Sequence, residues 1–246
     1  MVPRHISHCA LLLGSYIRCM GKLLTFLIPI VVAITMFRVN SVLSGRSLKS
    51  KSRPLRNDEV ERALTRLASA AEIDHIHVRV LDEEQINGLV TPQGDIYVTR
   101  GLVDKLRGGK ISMPEFVSVI AHELGHLAHG HTKRRIWDVA GSHLLIVILG
   151  GLLARFIPFV GYYIARFLSS LFVSALSRKD EFEADSYATA LMIRAGFGAE
   201  PQARMLEKLI ELVPGADRIS DNWLASHPPV PERAAAIRGN ADRWTG

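Results

Sequence analysis

A chain of 246 residues can bury one sizeable core, and its length does not require a second domain. Apolar residues make up 48% and charged residues an ordinary 22%, so the apolar excess must be gathered in particular segments. The net charge of +6 is thinly spread except between Arg38 and Arg56, a placement that suits a membrane surface and argues against nucleic acid as a partner. Both cysteines, Cys9 and Cys19, lie near the start, which excludes a disulfide framework or thiolate site further on and leaves His, Asp or Glu to hold any metal.

In chain order, Leu23 to Phe37 is uncharged and flanked by Lys22 and Arg38, whose long stems can carry their charges out to lipid headgroups. No small-x-small cleavage site follows, so residues 1–40 are expected to form an uncleaved N-terminal membrane anchor. After this segment come Arg38, Arg46, Lys49, Lys51, Arg53 and Arg56, against Arg4, Arg18 and Lys22 before it, an imbalance that puts the following domain on the cytoplasmic side. Serine-rich, basic "SVLSGRSLKSKSRPLR" (41–56) is expected to be a linker.

A globular pattern begins at 57. "DEVERALTRLASAA" has Val60, Leu64, Leu67 and Ala71 at helical spacing behind an Asp58 cap. "HIHVRVLD" alternates with Ile76, Val78 and Val80 on one face, and "DIYVTR" repeats the period, so two or three strands are predicted, with "TPQG" as a turn. Everything after Gly101 reads as helix, including an apolar insertion over 139–177. That insertion is either two helices packed on the core or lying in the membrane interface, or a transmembrane hairpin turning between Arg155 and Gly161; Arg166 in its second arm argues against simple spanning.

The chemistry starts in "MPEFVSVIAHELGHLAHG" (113–130), a predicted helix with Pro114 in its first turn. His122 and His126 are i, i+4 and share a face, as two imidazoles must to reach one Zn²⁺, and Glu123 beside them can take a proton from the attacking water. A catalytic zinc needs a third protein ligand, but the position where metzincins place their third histidine is Thr132. The carboxylate candidate is Glu181 in "SRKDEFEADSYATALMIRAG", with Asp185 one turn later placed to accept the other ring N–H of a ligating histidine. Glu183 points about 200° from Glu181 on a helical wheel and is excluded from that site. His129 and His131 are expected at the helix end, where positive charge is favoured, and not on the metal.

Taken together, "HELGH", "EFEAD" and "SHPPVPER" resemble the HtpX-like family of membrane-anchored zinc metallopeptidases, gluzincin in type and related to the CAAX prenyl proteases. The resemblance covers roughly Asp58 to Arg238. It implies one Zn²⁺ per chain on His122, His126 and Glu181, with Glu123 as catalytic base, in agreement with the spacing. It also singles out His227, near the metal and able to donate a hydrogen bond to the oxyanion of the tetrahedral intermediate, and Arg233, which helps hold the site. "INGLVTPQGDIYVTRGL" resembles the family's edge strand beside the cleft, which makes Asn87, Gly88 and Leu89 the substrate-binding candidates for an extended polypeptide; Gly88-Leu89 stands where the family usually has Ala-Phe.

The expectation is therefore a predominantly helical α+β chain, with a zincin-like metallopeptidase domain over 57–246, a small edge-exposed sheet, the anchor and the apolar insertion. Its function would be zinc-dependent endoproteolysis of membrane-associated or misfolded proteins, with membrane lipid as a second partner and a bacterial inner membrane as its site. The alternatives are a non-proteolytic zinc hydrolase and a membrane-bound interaction protein with an idle zinc site.

Overall fold

A computed structural model describes residues 31, 35, 45–91, 93–157, 160–212 and 230–245. Most of the expected anchor segment, and His227, lie outside the described residues. The chain divides into two compact units, 1–50 and 51–246. In the first, the described residues are helical, and Thr35 returns its hydroxyl to the Val31 carbonyl at 2.8 Å.

In the second unit the elements run β1 (Ser52–Pro54), α1 (Asp58–Ala70), β2 (Val78–Leu81), β3 (Gly88–Val90), β4 (Ile96–Thr99), α2 (Arg100–Arg107), α3 (Met113–Ala128), α4 (His131–Phe156), α5 (Gly161–Arg194), α6 (Glu200–Leu212) and α7 (Val230–Thr245). Helix dominates, and the strands form one sheet in the order β1-β2-β4-β3. β1, a three-residue strand at the end of the stretch expected to be a linker and too short and basic to show a period, pairs antiparallel with β2. The cap of α1 is Asn57 and not Asp58: its Oδ1 accepts from the amides of Glu59 at 3.0 Å and Val60 at 3.1 Å, while Asp58 is already helical.

Strand β4 lies parallel to β2 and antiparallel to β3. The alternation expected of "DIYVTR" does not survive as burial, because both faces of the sheet are covered at this strand and all four of its residues are buried. Thr99 is satisfied there: its Oγ1 accepts from the amides of Asn87 at 3.0 Å and Leu102 at 3.4 Å. β3 is the terminal strand, with one ladder to β4 in the register Gly88 to Val98, Leu89 to Tyr97 and Val90 to Ile96.

Helix α3 is the centre of the unit and packs against α1, α2, α4, α5, α6 and β3. Ser112 starts it with a reciprocal capping box: the Glu115 carboxylate accepts from the Ser112 amide at 2.7 Å, and Ser112 Oγ from the Glu115 amide at 3.4 Å. Phe116, Val117, Ile120 and Ala121 enter the core with Leu67 of α1, Val98 of β4, Met192 of α5, Met205 of α6 and Ile237 of α7.

The apolar insertion is a helical hairpin. Gly130, at φ +67°, ends α3 in a left-handed turn that only a residue without Cβ adopts cheaply, and α4 starts at once. α4 and α5 run antiparallel: Ser169 Oγ donates to the Ser142 carbonyl at 3.3 Å near the middle, and His131 faces Glu183 at the base. Among the described residues no helix is long and apolar enough to cross a membrane.

Candidate active site

α3 and α5 cross at Gly125, where a Cβ would lie 2.6 Å from the Ala184 carbonyl oxygen and 2.8 Å from Ala184 Cα. The crossing needs a glycine on one helix and a small residue on the other. It brings the face bearing His122 and His126 against the face bearing Glu181 and Asp185. Rising 1.5 Å per residue, each helix sets its two site residues about 6 Å apart along its axis, one turn deep.

The result is a convergent donor set. His122 Nε2 and His126 Nε2 are 3.1 Å apart, and each is 3.4 Å from a carboxylate oxygen of Glu181. Tetrahedral zinc with bonds of about 2.0–2.1 Å separates its ligand atoms by about 3.3 Å, so these three side chains fit the ion the sequence implies. All three are buried, Glu181 completely. Among the described residues, one other group could hold a metal: His129, His131 and Glu183, at the hairpin base.

The far side of His122 is held as the spacing anticipated: its Nδ1 lies 2.9 Å from Asp185 Oδ1. Burial alone would depress this imidazole, but the hydrogen bonds to Asp185 and Glu181 raise its pKa to about 9. Burial pushes Asp185 the other way, and the Arg233 charge and hydrogen bonds, with His122, overcome it and hold the carboxyl at about 2. Arg233 is fully buried; its Nε donates to Asp185 Oδ2 at 2.6 Å, its Nη2 to Asp185 Oδ1 at 2.9 Å, and its Nη1 lies 3.1 Å from Glu181 Oε2. One guanidinium thus braces both carboxylates of α5 from α7, in the planar fork geometry that lysine lacks.

Glu123 is buried and faces β3: a Cβ on Gly88 would stand 3.5 Å from the Glu123 carboxylate and 2.9 Å from Val119 Cγ1. The terminal strand with Gly88 and Leu89 therefore runs along the side of the site that holds the carboxylate. Asn87 is tied at the strand's start, its carbonyl accepting from the Thr99 amide at 3.0 Å.

Two supporting residues, Gln202 and Thr189, were not singled out from sequence. Gln202 of α6 donates to the Asp185 carbonyl at 3.1 Å and accepts from Thr189 at 2.9 Å. Its position in the apolar stripe with Met205, Leu206 and Leu209 was the available signal. His131, expected as a cationic residue at the helix end, is instead buried, with Nδ1 3.0 Å from His126 Nδ1 and Nε2 3.0 Å from Glu183 Oε2. The Gly130 turn folds it back against α3, and its burial keeps the imidazole pKa below its ordinary value, despite the Glu183 hydrogen bond. Glu183 is not one of the His122, His126 and Glu181 group; its Oε2 lies 3.0 Å from His131 Nε2.

Residues 54–241 match Peptidase family M48, a stretch that includes His122, Glu123, His126, Glu181 and Arg233. The chain is similar to the metalloprotease LoiP of Escherichia coli (strain K12), 28% identical over 193 residues that cover 74% of this chain and 71% of LoiP. A protease HtpX homolog of Acidiphilium cryptum (strain JF-5) is 31% identical over 207 residues, 70% of each protein. The metalloprotease YcaL of Escherichia coli (strain K12) is 26% identical over 202 residues, 79% of this chain and 73% of YcaL. With the family match running over most of its length, the chain belongs to Peptidase family M48 as an HtpX-like zinc metallopeptidase, and its substrates are polypeptides.

Proposed function

We propose that His122, His126 and Glu181 hold one Zn²⁺ and that Glu123 is the general base for hydrolysis of an internal peptide bond. The observation that carries this reading is the convergence of the three donors to 3.1–3.4 Å of one another beside a buried glutamate. When bound, the ion supplies Lewis-acid polarisation of the scissile carbonyl and of a water molecule. Glu123 takes the proton from the attacking water and returns it to the leaving amine. Asp185 orients His122, Arg233 fixes Glu181 and Asp185, and His227 donates to the oxyanion of the tetrahedral intermediate.

An extended substrate adds to the outer edge of β3, where main-chain hydrogen bonds align the scissile bond over Glu123, while Gly88 lets β3 itself pack closely against Val119 and Glu123 of α3. With the domain tethered at a membrane, its substrates are membrane-associated or misfolded polypeptides. We assign residues 1–40 to an anchor, 41–56 to a basic linker and 57–246 to the peptidase domain, with the insertion 139–177 meeting the bilayer and the domain on the cytoplasmic side. Support for the insertion meeting the bilayer comes from the exposed apolar side chains of the hairpin, among them Val147, Leu152, Phe156, Tyr163 and Phe167, with Val147 71% and Phe156 79% exposed.

Glu123→Gln tests the chemistry. Purified in detergent, this variant should bind zinc with wild-type stoichiometry and cleave an unfolded protein substrate at least about a hundredfold more slowly than wild type, the usual weight of general-base catalysis. Wild-type cleavage should also stop on chelation and return with zinc. Cleavage by Glu123→Gln at the wild-type rate would overturn the assignment of the base, and zinc-replete wild type without any peptide-bond cleavage would favour an idle or non-proteolytic site.

A further inference from the structure

The second cluster, His129, His131 and Glu183, poses a choice: a second metal site, or a support for the first. Proton bookkeeping decides it. A ring nitrogen that ligates a metal carries no proton, so with His126 Nε2 turned toward His122 and Glu181, the proton of neutral His126 sits on Nδ1. That N–H meets His131 Nδ1 at 3.0 Å, which must then accept, and the His131 proton goes to Nε2. From Nε2 it is donated to Glu183 Oε2 at 3.0 Å. A metal on His131 Nε2 would strip both nitrogens of that ring and require an imidazolate, so the two uses of His131 exclude each other.

Resting on the zinc reading above, we propose that His131 is a positioning residue that fixes the tautomer and ring plane of His126, with Glu183 as the carboxylate behind it. His122 and His126 are then held by different devices: His122 directly by Asp185 of α5, His126 by an imidazole interposed before the carboxylate. The interposition follows from geometry. Glu183, about 200° from Glu181 on the helical wheel, meets the His131 ring, and the left-handed Gly130 turn carries that ring against His126. Arg134 and Lys179 brace the far end: Arg134 hydrogen-bonds Asp180, and Lys179 Nζ is 3.5 Å from Glu183 Oε1. His131 is 3% exposed and the first residue of α4, so the first helix of the hairpin begins at the residue that orients a ligand.

Three variants of the full-length protein test this: His131→Phe, which keeps a planar ring without an acceptor; His131→Asn, whose Oδ1 is as many bonds from Cα as the lost Nδ1; and Glu183→Gln. The readouts are zinc affinity by competition with a chelating indicator, zinc stoichiometry, and the visible spectrum of the cobalt(II)-substituted protein. His131→Phe should bind one zinc about 10- to 100-fold more weakly, with an altered cobalt spectrum, as expected for loss of a hydrogen-bond partner behind a ligand. His131→Asn should return to within about fivefold of wild type, the worth of one altered neutral hydrogen bond, and Glu183→Gln should fall between the two. If His131→Phe does not fold, the other two variants carry the test. Wild-type affinity and spectrum in His131→Phe, or no rescue by Asn, overturns the proposal. Two zinc ions per wild-type chain falling to one in His131→Phe also overturns it, by making His131 a ligand. No zinc on the wild type would instead refute the metal reading beneath it.

Discussion

Gly125→Ala adds one methyl group at the tightest point between the helices that carry the site. The new Cβ would meet the Ala184 carbonyl oxygen at 2.6 Å and Ala184 Cα at 2.8 Å, both backbone atoms that cannot rotate away. A carbon rarely comes closer than about 3.3 Å to a carbonyl oxygen, so α3 and α5 must separate locally by about 0.7 Å. Zinc–ligand distances tolerate only about 0.2 Å, and Glu181 is one turn from Ala184. Without metal the helices can part and relieve the clash; with metal they must be drawn together again. The cost of overpacking, about 1–3 kcal/mol, therefore falls on binding, and zinc affinity should drop by about 5- to 150-fold. The assay is zinc competition on the purified variant, with apo and zinc-bound thermal melts. Gly141→Ala is the control, since a Cβ there meets nothing within 4 Å, and it should leave zinc affinity unchanged. Zinc affinity within twofold of wild type in Gly125→Ala would refute the argument that this crossing sets the ligand geometry.

Arg233→Leu should cost about 3–5 kcal/mol of folding stability in denaturant titration, because it strands Asp185 and Glu181 as buried charges; a loss under about 1 kcal/mol would mean that they are satisfied by other groups. Glu115 gives stability a pH dependence. Burial alone would raise its pKa, but hydrogen bonds from Lys208 at 2.8 Å and the Ser112 amide hold it below its ordinary value of 4.5. A carboxylate depressed in the folded state contributes stability that is present above its unfolded pKa and lost as pH falls through the folded one. Wild type should therefore lose more stability than Glu115→Gln between about pH 5 and pH 3, and parallel pH profiles would remove Glu115 from the cause.

The two halves of the site differ in how far they could be read from the chain. His122, Glu123 and His126 lie within one helical turn, so their common placement follows from the 3.6-residue period alone, and Glu181 with Asp185 follows in the same way. Requiring a third ligand for zinc was enough to connect these pairs across more than fifty residues. The edge position of β3 was also legible, through its resemblance to a family strand. Other features were not. β1 is three residues long and has no period to detect; β4 lost its alternation because burial depends on neighbours from elsewhere in the chain. His131 belongs to no pattern with Glu183, because a left-handed glycine and a helical reversal separate it from the helix it supports.

By itself the sequence determined which donor atoms can share a face, since that depends on helical period, and it led to the expectation of Glu123 as base and of a carboxylate as third ligand. Tertiary structure alone decided how close the two ligand helices come, through Gly125 against Ala184, and which groups stand behind each histidine: Asp185 for one, His131 and Glu183 for the other. The physical reason is range. Local dihedral preferences act over a few residues, whereas the donor spacing of 3.1–3.4 Å is set by contact between helices more than fifty residues apart.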